Sequence, residues 1–171
     1  AENKCIDCVA GKYFTQAAQT SDVCIDCVAG KYFEQAAQSS DVCINCDAGK
    51  YSATAALDAA AKCIDCVAGK WSSTAGIDAE NKCIHCVAGK YFEQAAQTSD
   101  VCIACVAGKY SATTALDAAA KCIACVSGKW SSTAGIDAEN KCIDCVAGKY
   151  FTQAAQSSDV CIDCVAGKYF E

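Results

Sequence analysis

The chain has no proline and no methionine, and all 14 of its cationic side chains are lysine. Without arginine, and with a net charge of −6 and a pI near 4.7, it lacks the clustered cations that a nucleic acid or an anionic membrane would require. Neither is expected as a partner. No apolar run is long enough to span a bilayer, so no membrane span is expected in this segment. The first residue is Ala1, with no initiator Met and no signal-like stretch, which reads as a mature piece or an internal segment of a longer array. Large aliphatic and aromatic core formers are also scarce: Leu, Ile, Val and Phe number 30 in 171 residues, and the 53% hydrophobic fraction is inflated by alanine and cysteine. A large oily core is therefore excluded, and something else must offset the entropy of ordering the backbone.

The abundant residue is cysteine, 18 in all, and every one belongs to a Cys-x-x-Cys pair. The pairs are Cys5/Cys8, Cys24/Cys27, Cys43/Cys46, Cys63/Cys66, Cys83/Cys86, Cys102/Cys105, Cys122/Cys125, Cys142/Cys145 and Cys161/Cys164, which sets a repeat of 19 or 20 residues. Such a period marks a tandem array in which each unit touches mainly its neighbours. We read residues 1–171 as one continuous array, with units starting at Cys8, Cys27, Cys46, Cys66, Cys86, Cys105, Cys125, Cys145 and Cys164. So much cysteine implies an oxidising environment, and the expected location is extracellular or at the cell surface.

After each pair comes Val-Ala-Gly-Lys-Tyr or a close variant, followed by one of three endings. Type a runs Phe-Thr/Glu-Gln-Ala-Ala-Gln-Thr/Ser-Ser-Asp-Val, as in 14–23. Type b runs Ser-Ala-Thr-Ala/Thr-Ala-Leu-Asp-Ala-Ala-Ala-Lys, as in 52–62, and type c runs Ser-Ser-Thr-Ala-Gly-Ile-Asp-Ala-Glu-Asn-Lys, as in 72–82. The order from Cys8 is a, a, b, c, a, b, c, a. Residues 138–171 reproduce residues 1–34 with one difference, Thr20 against Ser157, which gives a superperiod of 137 residues.

Each unit reads as a small two-stranded loop. Val9-Ala10-Gly11-Lys12 suits a type II turn with glycine at the positive-φ place. Tyr13-Phe14 leads out as a strand, polar residues 19–22 bend back, and Val23-Cys24-Ile25 answers. Alanine stretches such as 59–61 suit a single helical turn.

Three chemistries use Cys-x-x-Cys besides structural cross-linking. Haem attachment needs His after the second Cys, where this chain has Val or, once, Asp47. Four-cysteine zinc sites match the spacing, but they consume pairs two at a time, and nine evenly spaced pairs leave one over. A zinc-binding repeat is therefore the third reading. Thioredoxin-like chemistry needs a helix start beside a parallel sheet, which nothing here supplies. Disulfides explain the regularity directly, because the second Cys of one pair and the first of the next bracket a loop that a hairpin closes. The expected bonds are Cys8–Cys24, Cys27–Cys43, Cys46–Cys63, Cys66–Cys83, Cys86–Cys102, Cys105–Cys122, Cys125–Cys142 and Cys145–Cys161, with Cys5 and Cys164 pairing outside the window.

The stretch Cys43-Ile44-Asn45-Cys46-Asp47-Ala48-Gly49-Lys50-Tyr51-Ser52 resembles the ephrin-receptor-like repeat of the tumour-necrosis-factor-receptor cysteine-rich type. The resemblance implies the same connectivity, with the Cys before x-x-Gly-x-Tyr bonded to the next Cys downstream. It departs from that family in having Val where Pro is common. The uninterrupted array is similar in style to surface proteins of protists, among them those of algal flagellar hairs, the mastigonemes.

An aromatic occupies the fifth place after the second Cys of every unit: Tyr13, Tyr32, Tyr51, Trp71, Tyr91, Tyr110, Trp130, Tyr150 and Tyr169. These are expected to form a packing ladder against disulfides. Phe14, Phe33, Phe92, Phe151 and Phe170 follow and, by strand alternation, are expected to face outward as lateral contacts. Lys12 and its equivalents are expected to pair across the hairpin with return-segment acids such as Asp22, Asp58 and Asp78, each pair being individually weak. The lone His85 has Asp, Asn or Ala at equivalent places, and no nucleophile–base set can be assembled, so no enzyme activity, cofactor or metal is expected. Ser72-Ser73-Thr74 and Thr113-Thr114 suit O-linked sugars. The expected fold is all-β and disulfide-rich, an elongated rod or solenoid of short two-stranded loops. Its expected role is a stiff scaffold in an extracellular filament, hair or coat, self-associating with other chains of that filament. The alternative is the stalk or ligand-binding ectodomain of a receptor or adhesin.

Overall fold

A computed structural model describes residues 6–15, 24–166 and 168. Among them sixteen two-residue strands pair as eight two-stranded sheets, and no α-helix occurs. The fold is all-β, built from disulfide-bonded hairpin repeats.

The local chemistry of one repeat explains its shape. Gly11 holds φ at +82°, the Lys12 amide donates to the Val9 carbonyl at 3.1 Å, and the chain turns into the strand Lys12–Tyr13. The answering strand is Ile25–Asp26, with Tyr13 opposite Ile25 and Lys12 opposite Asp26. The hairpin is closed by the Cys27 amide donating to the Gly11 carbonyl at 2.8 Å. Later repeats copy this arrangement, as in Lys50–Tyr51 against Ile64–Asp65 and Lys109–Tyr110 against Ile123–Ala124. In the b and c repeats the return ends in a single 3-10 turn, at Ala60–Lys62, Glu80–Lys82, Ala119–Lys121 and Glu139–Lys141.

The described residues fall into two compact units, one comprising Ala1–Val67, Trp71–Ile84 and Ala95–Ser99, the other Ala68–Lys70, His85–Gln94 and Asp100–Glu171. Within the first, single parallel bridges tie each aromatic strand to the return of the following repeat: Tyr13 to Gln38, Tyr32 to Leu57, Tyr51 to Ile77 and Trp71 to Gln97. Within the second, the same link joins Tyr91 to Leu116, Tyr110 to Ile136 and Trp130 to Gln156.

The interior is sulfur with one aliphatic side chain per b or c repeat. Cys46 and Cys66 are fully buried, and Leu57, Ile77, Leu116 and Ile136 lie nearly as deep. Small buried hydroxyls complete it: Ser52 Oγ donates to the Thr54 carbonyl and accepts from the Thr54 amide, and Ser72, Ser111 and Ser131 do the same with Thr74, Thr113 and Thr133. A buried polar atom so satisfied costs little.

Candidate functional site: the joint between repeats

Eight disulfides join Cys8 to Cys24, Cys27 to Cys43, Cys46 to Cys63, Cys66 to Cys83, Cys86 to Cys102, Cys105 to Cys122, Cys125 to Cys142 and Cys145 to Cys161. Each closes one hairpin loop, with Cα atoms 5.7 to 5.9 Å apart, inside the ordinary range for a disulfide. Cys164 is a free thiol among the described residues, and Cys5 lies outside them. A disulfide sulfur has no thiolate to give a metal, so these sixteen atoms staple the chain instead. A fold that depends on this many disulfides belongs in an oxidising compartment.

Within each unit, backbone hydrogen bonds then sew repeats to their successors. In the first unit Gly30 N donates to Ser52 O at 2.9 Å, Phe33 N to Leu57 O at 2.9 Å, and Ala56 N back to Cys27 O at 2.7 Å. In the second, Gly89 N donates to Ser111 O at 2.9 Å, Ser111 N to Ile136 O at 3.1 Å, and Gly135 N to Cys105 O at 2.8 Å. The turn glycine also lies against the repeat two further on. A Cβ on Gly30 would sit 2.3 Å from the Gly76 carbonyl oxygen, and one on Gly69 equally close to that of Ala115. Glycine is thus required here for close approach as well as for positive φ.

The residue that meets this glycine is itself in the left-handed region. Ala37, Ala56, Ala96, Ala115 and Ala155 have φ between 56° and 61°, whereas the c repeats place Gly76 and Gly135 there at 72°. An alanine in that conformation is strained by roughly 1–2 kcal/mol. Ala115→Gly is expected to raise stability by about 1 kcal/mol, read as a higher urea midpoint at unchanged slope. A lower midpoint would show that the strain relieved is smaller than the entropy that glycine adds to the unfolded chain.

The aromatic ladder lies in the same joints. Tyr13, Tyr32, Tyr51, Trp71, Tyr91, Tyr110, Trp130 and Tyr150 are all half-buried, while Tyr169 lies outside the described residues. Tyr51 packs on the cluster of Cys66, Ile77 and Cys83, and Tyr110 on that of Cys125, Ile136 and Cys142. Those two rings therefore cover the disulfide of the following repeat.

The phenylalanines correct an expectation. Phe151 is only 4% exposed, Phe14, Phe33 and Phe92 are half-buried, and Phe170 lies outside the described residues. The strand ends at Tyr13, so alternation does not carry over to Phe14, whose amide instead donates to Gln38 O at 2.9 Å and draws the residue into the joint. The exposed apolar row is a different one, the Ile and Val of Cys-Ile-x-Cys-Val, with Ile64 at 52% and Val146 at 65% exposure.

The ion pairs are also rearranged. Lys12 pairs with Asp26 at 3.1 Å, Lys129 with Asp144 at 3.3 Å, and Lys50 with Asp65, so the acid comes from inside the Cys-x-x-Cys motif. Asp58 and Asp78 pair locally, four residues on, with Lys62 at 2.7 Å and Lys82 at 2.6 Å, and Asp22 lies outside the described residues. The cause is the register, which sets Lys12 opposite Asp26. Hydrogen bonds from Lys62, Lys82, Lys121 and Lys141 hold the carboxyls of Asp58, Asp78, Asp117 and Asp137 below the usual aspartate value.

No helix of the described residues is long and apolar enough to cross a membrane, and no group of three or more His, Cys, Asp or Glu among them is arranged to hold a metal ion. No protein-family model matches the chain, and no curated protein matches it.

Proposed function

We propose that this chain is a non-enzymatic structural element of an extracellular filament, hair or coat, a stiff scaffold made of one continuous array of ephrin-receptor-like cysteine-rich repeats in the style of mastigoneme proteins. The observation that supports this most is the joint, which is made of backbone hydrogen bonds and a glycine contact rather than of variable side chains. Such a backbone joint recurs from repeat to repeat, which suits a load-bearing element whose job is to keep a constant spacing. Covalent closure of every loop adds resistance to local opening, since each hairpin is pinned independently of its neighbours. The partners in this reading are further chains of the same filament, with O-linked sugars at exposed Ser/Thr clusters such as Ser73-Thr74 and Thr113-Thr114.

The test is small-angle scattering of the secreted, oxidised chain, followed by negative-stain microscopy at rising concentration. A rod-like scattering profile and lateral or end-to-end assembly are expected. A compact or freely jointed monomer that stays monomeric at high concentration would overturn the filament reading and favour the receptor stalk.

A further inference from the structure

Near-identical repeats carry a hazard, because a hairpin that docks on the wrong successor costs the array its register. One side chain that reaches across the joint distinguishes successors. Glu34 Oε1 accepts a hydrogen bond from the Ala60 amide at 3.1 Å, and Glu93 Oε1 accepts one from the Ala119 amide at 3.1 Å, each spanning 26 residues. Ala60 and Ala119 open the 3-10 turns of b repeats, whose own N-caps, Ala59 and Ala118, supply no side-chain hydrogen bond and whose first turns hold no acid.

Glu34 and Glu93 occupy the seventh place after the second cysteine of their repeats. The same place in the other described repeats is Thr15, Ala53, Ser73, Ala112, Ser132 and Thr152. Among the described repeats glutamate stands there only before a b repeat. The a repeats carrying Thr15 and Thr152 precede another a repeat, and Ser73 and Ser132 also precede a repeats. Ala53 and Ala112 precede c repeats, whose 3-10 turns have an acid of their own, Glu80 or Glu139. Each 3-10 turn thus has one carboxylate at its start, supplied internally in c and by the preceding repeat in b. Before an a repeat a carboxylate would be unwelcome: twenty-six residues beyond Ser132 lies Ser158, next to Asp159, whose Oδ1 already accepts from the Cys161 amide at 3.0 Å. Asp100 and Cys102 repeat that arrangement at 3.1 Å.

We infer that this seventh residue is a successor-selecting contact: glutamate specifies a following b repeat, and a neutral hydroxyl residue specifies a following a repeat. The selection works by charge and by one backbone amide, so it fixes which repeat each hairpin docks on during folding, in a filament or a receptor stalk alike.

The test is hydrogen exchange on the full oxidised chain. Glu93→Ala is expected to speed exchange of the Ala119 amide about fivefold, the loss of an ordinary cap, while Glu93→Gln, which keeps an acceptor oxygen, stays within about twofold of the parent. Ser132→Glu is expected to lower the melting temperature and to speed exchange over 158–161, an effect that shrinks as salt is added, whereas Ser132→Gln is tolerated. An Ala119 amide indifferent to Glu93→Ala, or a Ser132→Glu chain as stable as Ser132→Gln at low salt, would overturn the inference. Both readouts are independent of whether the chain forms filaments.

Discussion

Reduction and alkylation of the chain under otherwise native conditions is expected to unfold it completely rather than loosen it. Each bond closes a loop spanning 16 or 17 positions of sequence, which on the chain-entropy estimate is worth roughly 3 kcal/mol. Ordinary domains have a net stability of only about 5–15 kcal/mol, so the loss of about two to five staples already equals the whole of it. Little in the interior compensates, because it is made mostly of the cysteines themselves with a few aliphatic side chains, Phe151 and small hydroxyls. Near-ultraviolet circular dichroism from Trp71 and Trp130, both half-buried in their joints, should vanish with the last bonds, and backbone amides should exchange at unfolded rates. A fully alkylated chain that keeps its tryptophan signal would refute this. The double variant Cys66→Ser, Cys83→Ser is the local version, with a loss of about 3 kcal/mol concentrated in one repeat.

Gly69→Ala should be far more damaging than Gly135→Ala, although both glycines are left-handed. Gly69 has φ +80° and Gly135 has φ +72°, so an alanine at either place bears a left-handed strain of roughly 1–2 kcal/mol. They differ in what lies beyond. A Cβ on Gly69 would come within 2.3 Å of the Ala115 carbonyl oxygen and 2.8 Å of that of Leu116, while a Cβ on Gly135 first meets the Ala104 Cβ at 3.2 Å, with the Gly89 carbonyl oxygen at 3.8 Å. The clash is with backbone, so relief requires the repeats to part, weakening the 2.8 Å hydrogen bond from Gly69 N to Phe92 O. Overpacking of this kind typically adds about 1–3 kcal/mol. Denaturant melts of the two variants side by side measure the difference, and equal losses would show that the approach of turn to carbonyl is not what holds successive repeats in place.

The hairpins were legible in the sequence because their signals are local and chemical. Val9-Ala10-Gly11-Lys12 specifies a turn with positive φ at Gly11, and the aromatic that follows specifies a strand. The alanines at 59–61 were readable as a short helical turn, which forms at Ala60–Lys62. The answering strand was misplaced by its start, Ile25–Asp26 rather than 23–25, since a two-residue strand offers no alternation from which to read a register. The same shortage misled the reading of Phe14.

The joints between repeats were not legible, because they are backbone contacts and a backbone amide leaves no mark on the sequence. The left-handed alanines at 56 and 115 give no local sign either, as alanine, unlike glycine or asparagine, does not signal that conformation. One clue was available: aligned repeats place Gly76 and Gly135 where b and a repeats have alanine, and a glycine at one copy of a repeated position is a sign that every copy needs positive φ. The Glu34 contact was hidden for a different reason, since a change from Thr to Glu at an exposed place looks like neutral drift until the amide that it reaches is known.

Mapping the bonds of the unreduced chain by proteolysis and mass spectrometry tests the account at its centre. The expected result is eight cross-linked peptide pairs, each joining the second cysteine of one motif to the first of the next, from Cys8–Cys24 through Cys145–Cys161. Bonds within a single Cys-x-x-Cys, or free thiols that release zinc on alkylation, would contradict it.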